Sequence, residues 1–197
     1  DGSTPLFLFD SHTPGSGKSL LADVVATLVT GSRAPRTTQA NDDEMRKRIT
    51  SFLLASEPLT LIDNVSHRLG GAVLDAALTG EVWADRKLGG NESVKLPMNM
   101  VFMATGNNVQ VKGDLSRRTL RCRLDPKQEF PEQRQDFKHP RLLPWVKQQR
   151  PRLIMAVLTI LQSYQRNDAR PELSNFGSFE GWSDLVRGAL VWLGMAD

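Results

Sequence analysis

The stretch FLFDSHTPGSGKSLLADVV, Phe7–Val25, decides how the rest of the chain is read. An apolar, strand-like run leads into a Pro/Gly/Ser turn, and a segment with helical spacing follows. GSGKS matches the end of the phosphate-binding pattern G-x-x-x-x-G-K-[ST]. In that pattern backbone N–H groups wrap phosphates, the lysine reaches the terminal ones and the hydroxyl ligates Mg²⁺. The following helix adds the positive end of its dipole. The pattern's first glycine falls on His12, and histidine visits positive φ less easily than glycine. The candidate nucleotide contacts are His12, Pro14, Gly15, Ser16, Gly17, Lys18, Ser19 and Leu20, with Ser19 also a metal ligand. A Gly/Ser turn feeding a helix is the plainer reading of the string, and the strand before and helix after argue against it.

Outward from this loop, short apolar runs alternate with amphipathic segments, which predicts an α/β domain with a mainly parallel sheet. Strands are expected at residues 5–10, 34–38, 59–63, 99–105 and 119–124. A helix at 18–30 would turn Leu20, Leu21, Val24, Val25 and Leu28 to one side. A second helix, N-capped by Asn41 and opened by Asp42, Asp43 and Glu44, would bury Met45, Ile49, Phe52 and Leu53. A third runs from Leu69 to Leu78. Between residues 81 and 97, strand-compatible stretches flank Leu88-Gly89-Gly90-Asn91, good hairpin chemistry because glycine tolerates positive φ. Beyond Pro131 the chain turns helical, at 141–149, 151–165 and 181–193. The expected division is a core over 1–128 and a small helical part over 129–197.

Two further motifs join the loop. LTLIDN ends an apolar strand in Asp63, an acidic tip suited to Mg²⁺–phosphate. VFMATGNN places Thr105, Asn107 and Asn108 at the sheet's C-terminal edge, where open α/β sheets bind ligands. A polar side chain there can hold an attacking water or sense a terminal phosphate.

Composition sets the outer limits. The chain is 40% hydrophobic and 24% charged, an ordinary globular balance, and no apolar run nears the roughly 20 residues that span a bilayer. No membrane partner is expected. Cys122 is the lone cysteine and the three histidines are scattered, which excludes an internal disulfide and a zinc cluster. A cytoplasmic location is the expectation. Because the chain begins at Asp1 and enters an apolar run by Leu6, it reads as a fragment of a longer polypeptide. Residues 1–110 carry 10 Lys/Arg against 12 Asp/Glu and residues 111–197 carry 15 against 10, so the second half is the basic one. That is compatible with an anionic partner, although a solvated basic face has the same signature.

With these motifs in order, the sequence resembles an AAA+ ATPase. HTPGSGKS resembles Walker A, LTLIDN Walker B and ATGNN sensor 1, while GDLSRRTLRCRLD resembles the part that carries an arginine finger. More narrowly, it is similar to ATPase domains of replication proteins of phages and integrated elements. Those are often fused to a primase and work as helicases, related in style to the superfamily-three helicases. The likeness covers residues 5–126. It implies an AAA+-like P-loop NTPase fold with a hairpin before sensor 1, ATP and Mg²⁺ as cofactors, and a homo-oligomeric ring, a hexamer, acting on single- or double-stranded DNA. Other replication proteins or a fused primase domain would be partners.

Residue by residue, the resemblance implies Lys18 and Ser19 on phosphate and Mg²⁺, Asp63 on Mg²⁺, and Asn107 as sensor 1. Arg117 or Arg118 would reach a neighbouring subunit's site and stabilise transition-state charge. Trp83, Arg86, Lys87 and Lys95 on the hairpin would stack on and neutralise DNA, with core packing an equal reading for Trp83. Arg150 and Arg152 are among the candidates for a second sensor. The chain departs from the pattern at Asn64, where most AAA+ enzymes have a glutamate to polarise the attacking water. An amide orients water but accepts no proton. Asp42, Asp43, Glu44 and Asp10 are candidate replacements. Three rival readings stand beside the DNA motor: an AAA+ protein remodeller, a nucleotide-binding switch with little hydrolysis, and a small-molecule kinase.

Overall fold

Strands written almost wholly in apolar residues need cover on both faces, and the chain folds to supply it. The computed structural model describes residues 2–66, 68–86, 92–128 and 130–195. In chain order its elements are β1 (Leu6–Ser11), α1 (Lys18–Thr30), β2 (Arg36–Thr37), α2 (Asp42–Leu54), β3 (Leu59–Val65), β4 (Arg68–Leu69), α3 (Ala72–Thr79), β5 (Val82–Arg86), β6 (Ser93–Pro97), β7 (Val101–Asn107), β8 (Gln110–Val111), β9 (Thr119–Arg123), α4 (Leu142–Gln165) and α5 (residues 180–192). A 3₁₀ segment, Gly113–Arg118, leads into β9, and α5 contains a π-helical turn at Ser183–Arg187.

The main sheet has five parallel strands in the order β2-β3-β7-β1-β9. One face carries Leu6, Leu8, Ile62, Phe102 and Ala104 and packs with α2 and α3 through Met45, Ile49, Leu74 and Ala77. The other carries Phe9, Leu59, Leu61 and Met103 and receives α1 through Ala22 and Ala26. Strand order reverses at β1, whose neighbours β7 and β9 both come much later in the chain, so a topological switch point opens at its C-terminal end. The Gly/Ser loop at the start of α1 sits there. This is an α/β fold with a parallel sheet flanked by helices, as the sequence predicts.

Several local readings change. The face of α1 on the sheet is mostly small residues: of the predicted leucine and valine stripe Leu21 packs against the core there, but Leu20 and Val25 are exposed while Ala22, Asp23, Ala26 and Thr27 are buried. Small side chains let the helix approach closely, and Asp23 can be buried because Arg36 pairs with it. The third helix begins at Ala72, not Leu69, because Arg68 and Leu69 pair with β8 instead. Gly70 and Gly71 make the turn between them at φ +140 and +156, and a Cβ on Gly71 would collide with Asp42 Oδ1. The segments predicted at 141–149 and 151–165 form one continuous helix through Pro151. Pro151 denies a hydrogen bond to the Lys147 carbonyl, and that residue is exposed, so water can take the bond. On α4, Val157 and Leu158, predicted to face inward, are more than half exposed. Leu190 and Leu193, predicted to share α5's apolar face, are 41% and 49% exposed. Among the described residues no helix is long and apolar enough to cross a membrane.

Candidate functional site

The loop between β1 and α1 has the backbone a phosphate cradle requires. Gly15 and Gly17 sit at φ 71 and 85, in the left-handed region glycine occupies without strain. His12 is not among the positive-φ residues, so the position that lacks the pattern's first glycine makes no demand for one. Pro14 and Leu20 are exposed on the loop and first helical turn, and Ser16 is half-buried. Lys18 is 9% exposed and folds back over the loop, its Nζ donating to the Thr13 carbonyl at 3.2 Å and to Ser16 Oγ at 2.9 Å. Burial lowers the Lys18 ammonium's pKa, with the negative charge of Asp10 opposing.

Asp63 is the hub. Its Oδ1 accepts hydrogen bonds from Ser19 Oγ at 2.8 Å and Thr105 Oγ1 at 2.6 Å. Its Oδ2 accepts from Arg36 at 2.7 Å, and the same guanidinium donates to Asp23 Oδ2 at 2.7 Å. Burial alone would raise the Asp63 pKa, but the hydrogen bonds from Thr105 and Ser19 and the Arg36 charge outweigh it and hold the carboxyl below its ordinary value. Asn64 follows at φ 55, a left-handed position asparagine tolerates, where the β3–β7 register shifts between Ile62 and Val65. Its backbone N–H donates to Thr105 Oγ1 at 3.0 Å and its side chain is exposed. Asn107, paired in register with Ser11 at the end of β1, has a buried Oδ1 with no partner. Such an oxygen at a sheet edge is a place for a ligand or an ordered water.

The donor set suits Mg²⁺. Ser19 and Asp63 are hard oxygen ligands joined by one hydrogen bond, and Mg²⁺ is held by one or two protein oxygens, substrate phosphates and water, not by a protein cage. Among the described residues no group of three or more His, Cys, Asp and Glu is placed to hold a metal.

The acids that could replace the missing glutamate are largely engaged. Asp42 accepts from the Ala72 N–H and caps α3, and Glu44 pairs with Arg48 at 3.0 Å. Asp10 is fully buried, accepting from the Val109 N–H and from Arg121. Asp43 is exposed on the first turn of α2. Glu132, which no sequence motif marks, lies against the loop: a Cβ on Gly15 would sit 3.0 Å from its Oε2.

The two neighbouring arginines part company. Arg118 is 12% exposed, donates to the Asp75 carbonyl at 2.7 Å and pairs with Asp114 at 2.5 Å. Arg117 is 54% exposed, paired with Asp114 and near Ser178 Oγ at 3.5 Å. Arg150 donates to the Leu28 and Val29 carbonyls, both at 2.8 Å, and so satisfies the C-terminal end of α1.

On the hairpin, Trp83 is corrected from a DNA-stacking residue to a core one. It is 6% exposed, its Nε1 donates to Thr50 Oγ1 at 2.9 Å, and Arg46 lies 5.6 Å over its ring. The alternation of β5 decides this, since Trp83 and Asp85 face α2 while Arg86 faces out. Arg86 and Lys95 are exposed, and the pairings Arg86–Ser93 and Ala84–Lys95 make them diagonal neighbours on the outer face. Lys87 and the predicted turn at 88–91 lie outside the described residues. The residues sequence reasoning missed are Arg36 and Asp23. Their signal, a buried acid on α1 and an arginine in a two-residue strand, emerges only once β2 and β3 lie side by side.

The fold, with its glycine-bearing loop between the switch-point strand and α1, defines a P-loop NTPase-like α/β domain. No protein-family model and no curated protein matches the chain. Among solved structures it is similar to the C-terminal region of NrS-1 in its A form without ligand, at 14% identity and TM-score 0.50, over 76% of this chain and 34% of that one. Another structure of that region gives 15% identity and TM-score 0.49, over 74% and 34%. JCV helicase bound to a thiazolopyridine compound gives 13% identity and TM-score 0.45, over 83% and 55%. The chain thus spans about a third of the NrS-1 region it matches, and likeness at such identity is one of fold.

Proposed function

We propose that this chain is the ATP-binding and ATP-hydrolysing motor domain of a DNA replication protein, working as an oligomeric ring. The observation that carries the reading is the Ser19–Asp63–Thr105 network beside Lys18, with the unpartnered Asn107 oxygen at the same sheet edge. Lys18 would leave Thr13 and Ser16 to reach the terminal phosphates, Ser19 and Asp63 would hold Mg²⁺, and Asn107 would position water or the γ-phosphate. A bound Mg²⁺ would neutralise charge on the β- and γ-phosphate oxygens. Arg117, exposed where Arg118 is engaged, is the residue we assign to a neighbouring subunit's site. Arg86 and Lys95 are the described cations we assign to the DNA backbone.

The exposed Asn64 side chain favours a second reading, a nucleotide-binding switch with slow turnover, because no carboxylate stands at that position. One experiment separates them: ATP hydrolysis across a protein concentration series, with and without single-stranded DNA. The motor reading expects specific activity to rise with concentration and with DNA. Flat activity indifferent to both would overturn it, and nucleotide binding without turnover would establish the switch.

A further inference from the structure

One cation at the site has no part in the proposed ATP chemistry, and its role rests on Asp63 being the Mg²⁺ ligand. Arg36 joins two carboxylates, Asp63 Oδ2 and Asp23 Oδ2, each at 2.7 Å. The guanidinium therefore covers the second oxygen of the residue assigned to the metal. Asp23 is 3% exposed, and its Oδ1 is buried without any partner. Arg33 stands further from Asp23 Oδ2, at 3.8 Å, and is largely exposed. A buried carboxylate oxygen left unpaired is costly, and a guanidinium satisfies both oxygens of one carboxylate through its planar fork. Asp23 thus holds a vacant second bond for the very group that now bridges it to Asp63. The arginine is seen as the bridge, and a two-pronged pair with Asp23 would satisfy the oxygen the bridge leaves open.

We propose that Arg36 is a built-in counter-cation that Mg²⁺ displaces. Without nucleotide it neutralises Asp63 and keeps the carboxylate oriented towards Ser19. When Mg²⁺ arrives with phosphate, the like charges repel, Arg36 releases Asp63 Oδ2 and closes on both oxygens of Asp23. Metal binding and guanidinium release are then coupled, and the site stays electrically balanced in both states. By linkage, removing the competitor strengthens the metal's hold, and removing the resting place weakens it.

The test is Mg²⁺ titration of the binding of a fluorescent ATP analogue, read as the Mg²⁺ concentration giving half-maximal binding. Arg36→Ala is expected to lower that concentration about fivefold or more, within the ordinary range of coupling between two sites. Arg36→Gln, which keeps length and hydrogen bonding without charge, should match it and stands in if the alanine variant does not fold. Asp23→Asn should move the midpoint the other way. A midpoint unchanged or raised in both Arg36 variants would overturn the proposal and leave Arg36 a fixed positioning residue. Wild-type protein that binds no analogue at any Mg²⁺ concentration, or binds it equally in Lys18→Ala, would instead overturn the nucleotide site itself.

Discussion

Two buried threonines do the same chemistry in different parts of the molecule. Thr50, on α2, accepts from Trp83 Nε1 and donates to Asp85 Oδ2 at 2.6 Å. Thr105, on β7, accepts from the Asn64 N–H and donates to Asp63 Oδ1 at 2.6 Å. Each hydroxyl is shut from solvent and ties an N–H to a carboxylate. The surroundings differ. Around Thr50 the partners are internal and the network fastens the hairpin base to α2. Around Thr105 the carboxylate also meets Ser19 in the first turn of α1 and the Arg36 guanidinium, and an unpaired amide oxygen lies at the same edge. The first network is closed, whereas the second keeps bonding capacity for something else. Identical residue types therefore close a network in one place and leave an unpaired oxygen at the same edge in the other.

The largest expected contrast comes at the open network. Lys18→Ala should reduce ATP turnover by at least about 100-fold, the scale of losing one key electrostatic donor. Its melting temperature should stay near that of the wild type, because the hydrogen bonds Lys18 makes to Thr13 and Ser16 stay within its own loop. A parallel loss of stability would mean the loop is structural.

Next comes the pair of threonines. Thr50→Val strands the Trp83 N–H and the Asp85 oxygen, at a cost of about 2–3 kcal/mol. Thermal or denaturant unfolding should show that loss with nucleotide affinity unchanged. Thr105→Val should weaken Mg²⁺–nucleotide binding beyond anything its unfolding free energy explains. Equal behaviour of the two variants would erase the distinction.

The adjacent arginines make a smaller version of the same comparison. Arg118→Ala, removing a nearly buried group from the Asp75 carbonyl, should lower stability by about 2 kcal/mol. Arg117→Ala should leave unfolding unchanged and reduce only the concentration-dependent part of turnover. Activity loss confined to Arg118→Ala would reverse the assignment.

The smallest effect is acidic. Asp63 is held below its ordinary value near 3.8 in the folded state, so its contribution to stability is complete above that value. It is lost as the pH falls through the lower folded value. Asp63→Asn should be the less stable protein at neutral pH without nucleotide, and the gap should close in acid. A gap constant with pH would deny the ionised carboxylate its role.

Much of this can be read from the sequence because it is local. The strand into the loop, the helix after it and the acidic tip at Asp63 depend on neighbours a few residues away. Asn41 caps α2 as predicted, its side chain accepting from the Glu44 N–H. The features that escape such reading depend on distant partners. Trp83 is fixed inward by Thr50, and Arg36 is defined by Asp23 and Asp63, which meet only when β2 joins β3. A two-residue strand after Pro35 shows no periodicity that would announce it. Arg150 is basic and so a candidate for the site by sequence, but the unsatisfied carbonyls of α1 claim it.

The central claim, that the β1–α1 loop holds nucleotide with Mg²⁺ at Ser19 and Asp63, meets its most direct test in equilibrium calorimetry of Mg²⁺–ATP binding. One site per chain is expected, lost in Lys18→Ala and stripped of its Mg²⁺ dependence in Asp63→Asn. Binding that survives both substitutions, or no binding to the folded wild-type chain, would contradict it.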